Sequence, residues 1–146
     1  TSAGKIGVLI CWDQWFPEAA RIMSLKGADL LVYPTAIGWM KSEPAELYPR
    51  QQDSWITVMR GPAIANRTFV LSANRIGTEG DLTFWGTSFV AAPDGYLVNK
   101  CDSDFLGASI VEIDLGETEF NRRWWPHFRD RRVDLYGDIL KIWCED

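Results

Sequence analysis

The stretch KIGVLICWDQWFPEAARIMSLKGADLLVY, Lys5 to Tyr33, decides the fold. It opens on the apolar run KIGVLI, short and β-branched enough for a buried strand, and closes on a second such run, DLLVY from Asp29 to Tyr33. Between them PEAARIMSLKG starts with Pro17, puts Glu18 in the first turn and stops at Gly27, which is the punctuation of a helix. Strand, helix and strand in about thirty residues predict a βαβ crossover with parallel, neighbouring strands. The corner between the first strand and the helix holds Cys11, followed by the polar or restricted residues Asp13, Gln14, Pro17 and Glu18.

Working outward, PTAIGWMKSEPAELYP (Pro34 to Pro49) reads as a long loop leaving the second strand, at the end of a parallel sheet where ligands usually bind. From Arg50 to Asn66 the apolar residues Trp55, Ile56, Met59, Ala63 and Ile64 recur at helical spacing, and Gly61-Pro62 is expected to kink or split that helix. TFVLSAN (Thr68 to Asn74) predicts a third buried strand. FWGTSFVAAPDGYLVNK (Phe84 to Lys100) predicts two extended runs joined at Pro93-Asp94-Gly95, and GASIVEIDL (Gly107 to Leu115) a further strand. This order implies a layered α/β protein with helices covering a sheet. Residues 121–146, rich in arginine and tryptophan, read as a carboxyl-terminal arm that packs on a partner subunit.

Composition narrows the function. The 146 residues are 47% hydrophobic, with eight tryptophans and seven phenylalanines, enough for one continuous core. A formal charge of −5 disfavours an electrostatic grip on nucleic acid or anionic lipid, and no long apolar run marks a membrane span. Three widely spaced cysteines (Cys11, Cys101 and Cys144) point to free thiols in a reducing, cytoplasmic setting. With one histidine and no Cys-x-x-Cys there is no recognisable metal ligand set, and neither metal nor organic cofactor is expected.

A thiol where a strand hands over to a helix faces free backbone N-H groups, which favour a thiolate and can receive a developing oxyanion. A buried cysteine can also be inert filling. The surrounding residues resolve the choice: ICWDQWFPEAAR resembles the nucleophile region of the nitrilase superfamily of carbon-nitrogen hydrolases. GADLLVYPTAIGW, AIANRTFVLSANRIG, FWGTSFVAAPDG and FRDRRVDLYGDIL resemble that family in the same order, so the likeness spans essentially the whole chain. The string Trp12-Asp13-Gln14-Trp15 looks most like the N-carbamoylputrescine amidases within it.

The resemblance implies a four-layer αββα sandwich with Cys11 as nucleophile of a glutamate-lysine-cysteine triad. It also implies that the backbone N-H of Trp12 and the family's lysine hold the oxyanion. In the family the glutamate and lysine lie well upstream, whereas ten residues precede Cys11 here. Lys5, at the far end of the same strand, cannot reach the thiol, and Glu18 reads as a helix-start carboxylate. Residues 1–120 are therefore expected to be the carboxyl-terminal half of a hydrolase domain, with the amino-terminal half on another chain or lost, and the assembly is expected to be a homo-oligomer.

Carbamoylases acting on carbamoyl amino acids resemble this family but place arginines after the cysteine to fork a substrate carboxylate. Gln14 and Trp15 stand there in this chain, which favours an amine-tailed carbamoyl or amide substrate. Trp39 is expected to wall that tail by cation-π contact, with Thr35 and Ala36 lining the pocket. Asn74 and Arg75 are expected to brace nearby loops, and His127, in the arginine-rich tail, to take no catalytic part. Two alternatives remain open: another aliphatic amidase or nitrilase, or a catalytically silent interaction module on the same scaffold.

Overall fold

The computed structural model describes Ser2 and residues 4–144; positions 1 and 3 and the last two residues of the expected arm, 145 and 146, lie outside the described residues. The predicted crossover forms: β1 (Ile6–Val8), α1 (Pro17–Leu25) and β2 (Leu30–Thr35), with β1 and β2 parallel in the register Ile6 to Leu30. Gly7 is where α1 meets the sheet. A Cβ there would lie 2.9 Å from Leu31 Cδ2 and 3.1 Å from Met23 Cβ, so only glycine lets the helix settle this close.

After β2 come β3 (Gly38–Met40), α2 (Tyr48–Asn66), β4 (Phe69–Asn74), β5 (Ile76–Glu79), β6 (Leu82–Trp85), β7 (Phe89–Ala91), β8 (Leu97–Lys100) and α3 (Gly116–Trp124). A five-stranded sheet has the order β1-β2-β4-β7-β8, parallel from β1 to β4 and antiparallel beyond. Strands β3, β6 and β5 make a separate antiparallel sheet. Helices α1 and α2 pack together on one face of the large sheet, enclosing Leu9, Ala20, Leu31, Tyr33, Trp55, Met59, Ala63, Val70 and Phe89. The chain thus supplies one helical layer and one sheet layer of an αββα sandwich. On the other face Val111, Ile113 and Leu115 cover Phe69, Val90 and Ala92, while Ile6 and Val8 of β1 stay exposed.

Four expectations need correction. The Pro34–Pro49 loop contains β3, which the sequence hides because Gly38 looks like a breaker; a Cβ at Gly38 would overlap the Thr83 carbonyl oxygen of β6. Gly38→Ala is expected to cost about 1–3 kcal/mol in urea denaturation, since the contact is with backbone that cannot step aside. Helix α2 runs unbroken through Gly61-Pro62, because a residue without Cβ before proline removes the clash that disfavours helix there. The run from Phe84 is cut at Gly86 and Thr87, both left-handed (φ 55° and 56°), where the chain leaves the small sheet for the large one. Gly107–Leu115 alternates in burial only from Val111 onward and pairs with no strand among the described residues.

The boundary expected at residue 121 falls inside α3. That helix is pinned to the end of α2 and the turn before β2 by Arg122, which donates from Nε to the Asn66 carbonyl (3.2 Å) and from Nη2 to the Ala28 carbonyl (2.8 Å). Thr118 Oγ1 adds a bond to the Asp29 carbonyl (3.3 Å). Phe128 lies between the guanidinium groups of Arg21 and Arg122, each 5.2 Å from its ring centre. Burial and the charge of Arg131 push the Arg21 guanidinium down from its ordinary value. Beyond that anchor the arm leaves Leu140, Ile142 and Trp143 exposed. Among the described residues no helix is long and apolar enough to cross a membrane.

Candidate active site

Cys11 stands where the parallel ladder ends. The Leu9 N-H donates to the Val32 carbonyl (3.0 Å), and two residues later Cys11 takes a left-handed conformation, φ 47°. For a residue with a Cβ this costs about 1–2 kcal/mol and persists only where the surroundings over-determine it. Asp13 supplies part of that constraint: its Oδ2 accepts the Ile10 N-H (2.8 Å) and its own N-H donates to the Ile10 carbonyl (3.1 Å). Gln14 supplies the rest. Its side chain is buried, and its Oε1 accepts the indole N-H of Trp55 (2.8 Å), which ties the turn to the middle of α2.

The helix after the cysteine differs from expectation. Residues Cys11–Trp15 form a single 3₁₀ turn, and α1 starts only at Pro17, because proline holds the preceding Phe16 in extended backbone (φ −109°, ψ 103°). Asp13 is the first residue whose N-H enters the turn's ladder, so the Trp12 N-H precedes it and stays outside the ladder. The Trp12 side chain is 66% exposed.

Of the three residues expected to line a pocket, the structure brings one to the sulfur. Thr35, at the last register position of β2, donates its hydroxyl to Cys11 Sγ at 3.4 Å. Ala36 is exposed and does not line the neighbouring cleft. Trp39 does not wall it either: its ring stacks on Tyr48 (5.0 Å, 15° between planes) and leans on Trp85 (5.4 Å). Its indole N-H is spent on the Tyr48 carbonyl (3.0 Å). Trp39 is therefore a buttress, placed there because β3 turns it toward α2.

The cleft, about 680 Å³, is walled by Trp12, Trp15 and Trp85, with Glu43, Arg50, Gln51 and Ser54 as its polar residues. Glu43 was not legible as a site residue beyond its place in the flagged loop. Its two carboxylate oxygens accept the Met40 N-H (2.8 Å) and Gln51 Nε2 (2.9 Å). Both donors are neutral, so the side chain is oriented while its charge is left uncompensated. Arg50, which lines the same cleft, makes no ion pair among the described residues.

Asn74 braces the loops as expected. Its side chain accepts from the Ile37 N-H (2.9 Å) and donates to the carbonyls of Ile37 (3.0 Å) and Gly86 (2.9 Å). Arg75 lies over Phe84 and pairs with Glu79. Glu18 sits in the first turn of α1, and His127 lies 3.5 Å from Arg67 in the tail. Tyr33, buried beside Asp13, has its phenol pushed up, first by burial and then by that carboxylate. Among the described residues no group of His, Cys, Asp and Glu could hold a metal ion.

Known proteins with this arrangement share a family. The sequence profile of carbon-nitrogen hydrolases matches residues 1–123. An N-carbamoylputrescine amidase from Arabidopsis thaliana is 46% identical over 150 residues, covering 97% of this chain and 49% of that protein. A citrullinase from Francisella tularensis is 43% identical, covering 97% of this chain and 50% of its own. The crystal structure of a carbon-nitrogen hydrolase from Helicobacter pylori G27 superposes with a TM-score of 0.92 at 47% identity, over 99% of this chain and 52% of that one. A mutant of the amidase from Nesterenkonia sp. AN1, solved with the acetamide moiety of fluoroacetamide on its active-site cysteine, gives a TM-score of 0.70 at 26% identity, over 94% of this chain and 44% of that one. The chain spans about half the length of these relatives. In profile, sequence and backbone alike, it belongs to the carbon-nitrogen hydrolases of the nitrilase superfamily.

Proposed function

We propose that this chain carries the nucleophile of a hydrolase acting on the carbamoyl group of an amine, with Cys11 as that nucleophile and N-carbamoylputrescine as the substrate. The observation that carries the reading is the half-buried Cys11 thiol on a left-handed corner that Asp13 and Gln14 hold in place, next in sequence to Trp12, which walls a cleft together with Trp15 and Trp85. Sγ adds to the ureido carbonyl carbon, the bond to the terminal nitrogen breaks and ammonia leaves, so the carbamoyl group remains on sulfur. Water then adds, the carbon-sulfur bond breaks, and the thiol regains its proton; the released carbamic acid loses carbon dioxide to give the diamine. Dividing one hard displacement into two easier ones is what the covalent step achieves.

In this reading the Trp12 N-H receives the oxyanion together with the family's lysine, and the family's glutamate moves the protons. Both of those side chains are assigned to polypeptide outside residues 1–146. The amine tail lies between the tryptophans, with its ammonium at Glu43, whose uncompensated carboxylate suits a cation. Glu43→Gln is expected to raise KM about tenfold to a hundredfold with kcat largely kept, because the contact is made equally in ground and transition states.

Arg50 favours a second reading. An amino-acid tail such as that of citrulline would use both Glu43 and Arg50, whereas a diamine tail needs only Glu43. Ammonia release from carbamoylputrescine, citrulline and carbamoyl-β-alanine separates them. Preference for the first supports the proposal, preference for citrulline moves the assignment to the second reading, and preference for the purely anionic compound contradicts both.

The arm, residues 121–146, is proposed to pack on a further copy of the protein, with Leu140, Ile142 and Trp143 covered there. Removing residues after 136 is expected to lower the assembly size in sedimentation. An unchanged size would contradict it.

A further inference from the structure

Thr35 holds a place at the thiol that the hydrolytic scheme above does not use. It ends β2, the strand beside that of Cys11, and its backbone is fixed from two sides: it stands in register with Asn74, and its carbonyl accepts the Arg75 N-H (3.2 Å). Asn74 is itself tied to Ile37, Gly86 and Ser88, so the strand end cannot drift. The threonine side chain is 9% exposed and β-branched, which restricts its χ1 rotation. Its hydroxyl has one partner among the described residues, the sulfur of Cys11, to which it donates at 3.4 Å.

We infer that Thr35 is a positioning residue for the Cys11 sulfur, orienting it through this single hydrogen bond. The bond holds the sulfur in one rotamer. It also fixes which face of the sulfur is open, because the lone pair taken by the hydroxyl is withdrawn from attack. This role differs from lining the pocket: Thr35 acts through Cys11 and touches no substrate. It rests on the reading of Cys11 as nucleophile, but alkylation tests it separately.

The experiment uses the native protein, with the iodoacetamide labelling rate of the Cys11 peptide followed by mass spectrometry across pH. The titratable groups on the turn and on the elements packed against it are Asp13 itself, Tyr33 of β2, Glu18 and Arg21 of α1, and Tyr48, Arg50, Asp53 and Arg60 of α2. All are unchanged in the variants, so a difference from wild type reads Thr35 alone. Thr35→Val is expected to slow labelling at pH 7 about tenfold. Thr35→Ser keeps the hydroxyl and is expected to label within about twofold of wild type.

Thr35→Ala serves if the valine crowds the site, with the same loss expected. Wild-type rates in Thr35→Val and Thr35→Ala would overturn the inference. So would equal slowing in Thr35→Ser, which would mean that only packing matters. Labelling that follows this order in a protein that hydrolyses none of the ureido compounds would sustain the role of Thr35 while removing the proposed reaction.

Discussion

In the proposed reaction, Cys11→Ala is expected to lower kcat/KM for the ureido substrate about 10⁴-fold or more, with the thermal transition little changed. The magnitude follows from the chemistry, since with no sulfur the two-step route is closed and only substrate binding and oxyanion stabilisation remain. The preserved stability follows from the geometry. The corner is held by Asp13 and Gln14, neither of which relies on the thiol. Ammonia release measured beside circular dichroism checks both halves; residual activity within tenfold of wild type would show that the reaction runs elsewhere.

Trp55→Ala is the largest expected loss of stability. The ring is fully buried, edge-on to Phe89 (5.3 Å) and tilted against Trp85 (5.8 Å), where α2 meets the sheet. Truncating a core tryptophan costs about 3–5 kcal/mol. Here the loss is compounded, because Gln14 Oε1 is left buried without its donor, at about 1–3 kcal/mol more. Trp55→Phe separates the two effects: it keeps most of the packing, loses the indole N-H, and is expected to cost about 1–3 kcal/mol in urea denaturation. Labelling of Cys11 should change in both variants, since Gln14 connects the core to the corner. A stability loss below about 1 kcal/mol in Trp55→Ala would refute the placement of this ring.

The βαβ unit was legible because its signals are local and agree: two β-branched runs, proline at the helix start and glycine at its end. Strand β3 was not, because what makes Gly38 a strand residue is the Thr83 backbone beside it, more than forty residues away in sequence. The same holds for the break at Gly86 and Thr87, which only the change of sheet explains. The position of Cys11 at the strand end could be read from the apolar run before it and the proline-led helix after it. Thr35 was expected near the pocket because the end of β2 points that way; that its hydroxyl meets the sulfur depends on a rotamer, which sequence does not encode. Trp39 was misassigned to the cleft wall because a loop tryptophan at a ligand-binding end looks free until β3 turns it onto Tyr48 and Trp85. Glu43 went unnoticed for the opposite reason: one carboxylate in a polar loop carries no signal until Met40 and Gln51 fix it facing the tryptophans.

The most direct measurement is peptide mapping of the native protein after exposure to fluoroacetamide, whose acetamide moiety is found on the active-site cysteine of a mutant of the Nesterenkonia amidase. Displacement of fluoride by Sγ should leave an acetamide mass on the Cys11 peptide, formed well before any appears on Cys101 or Cys144, with hydrolysis lost in step. A Cys11 peptide that stays unmodified while activity disappears, or labelling spread evenly over the three thiols, would contradict the account.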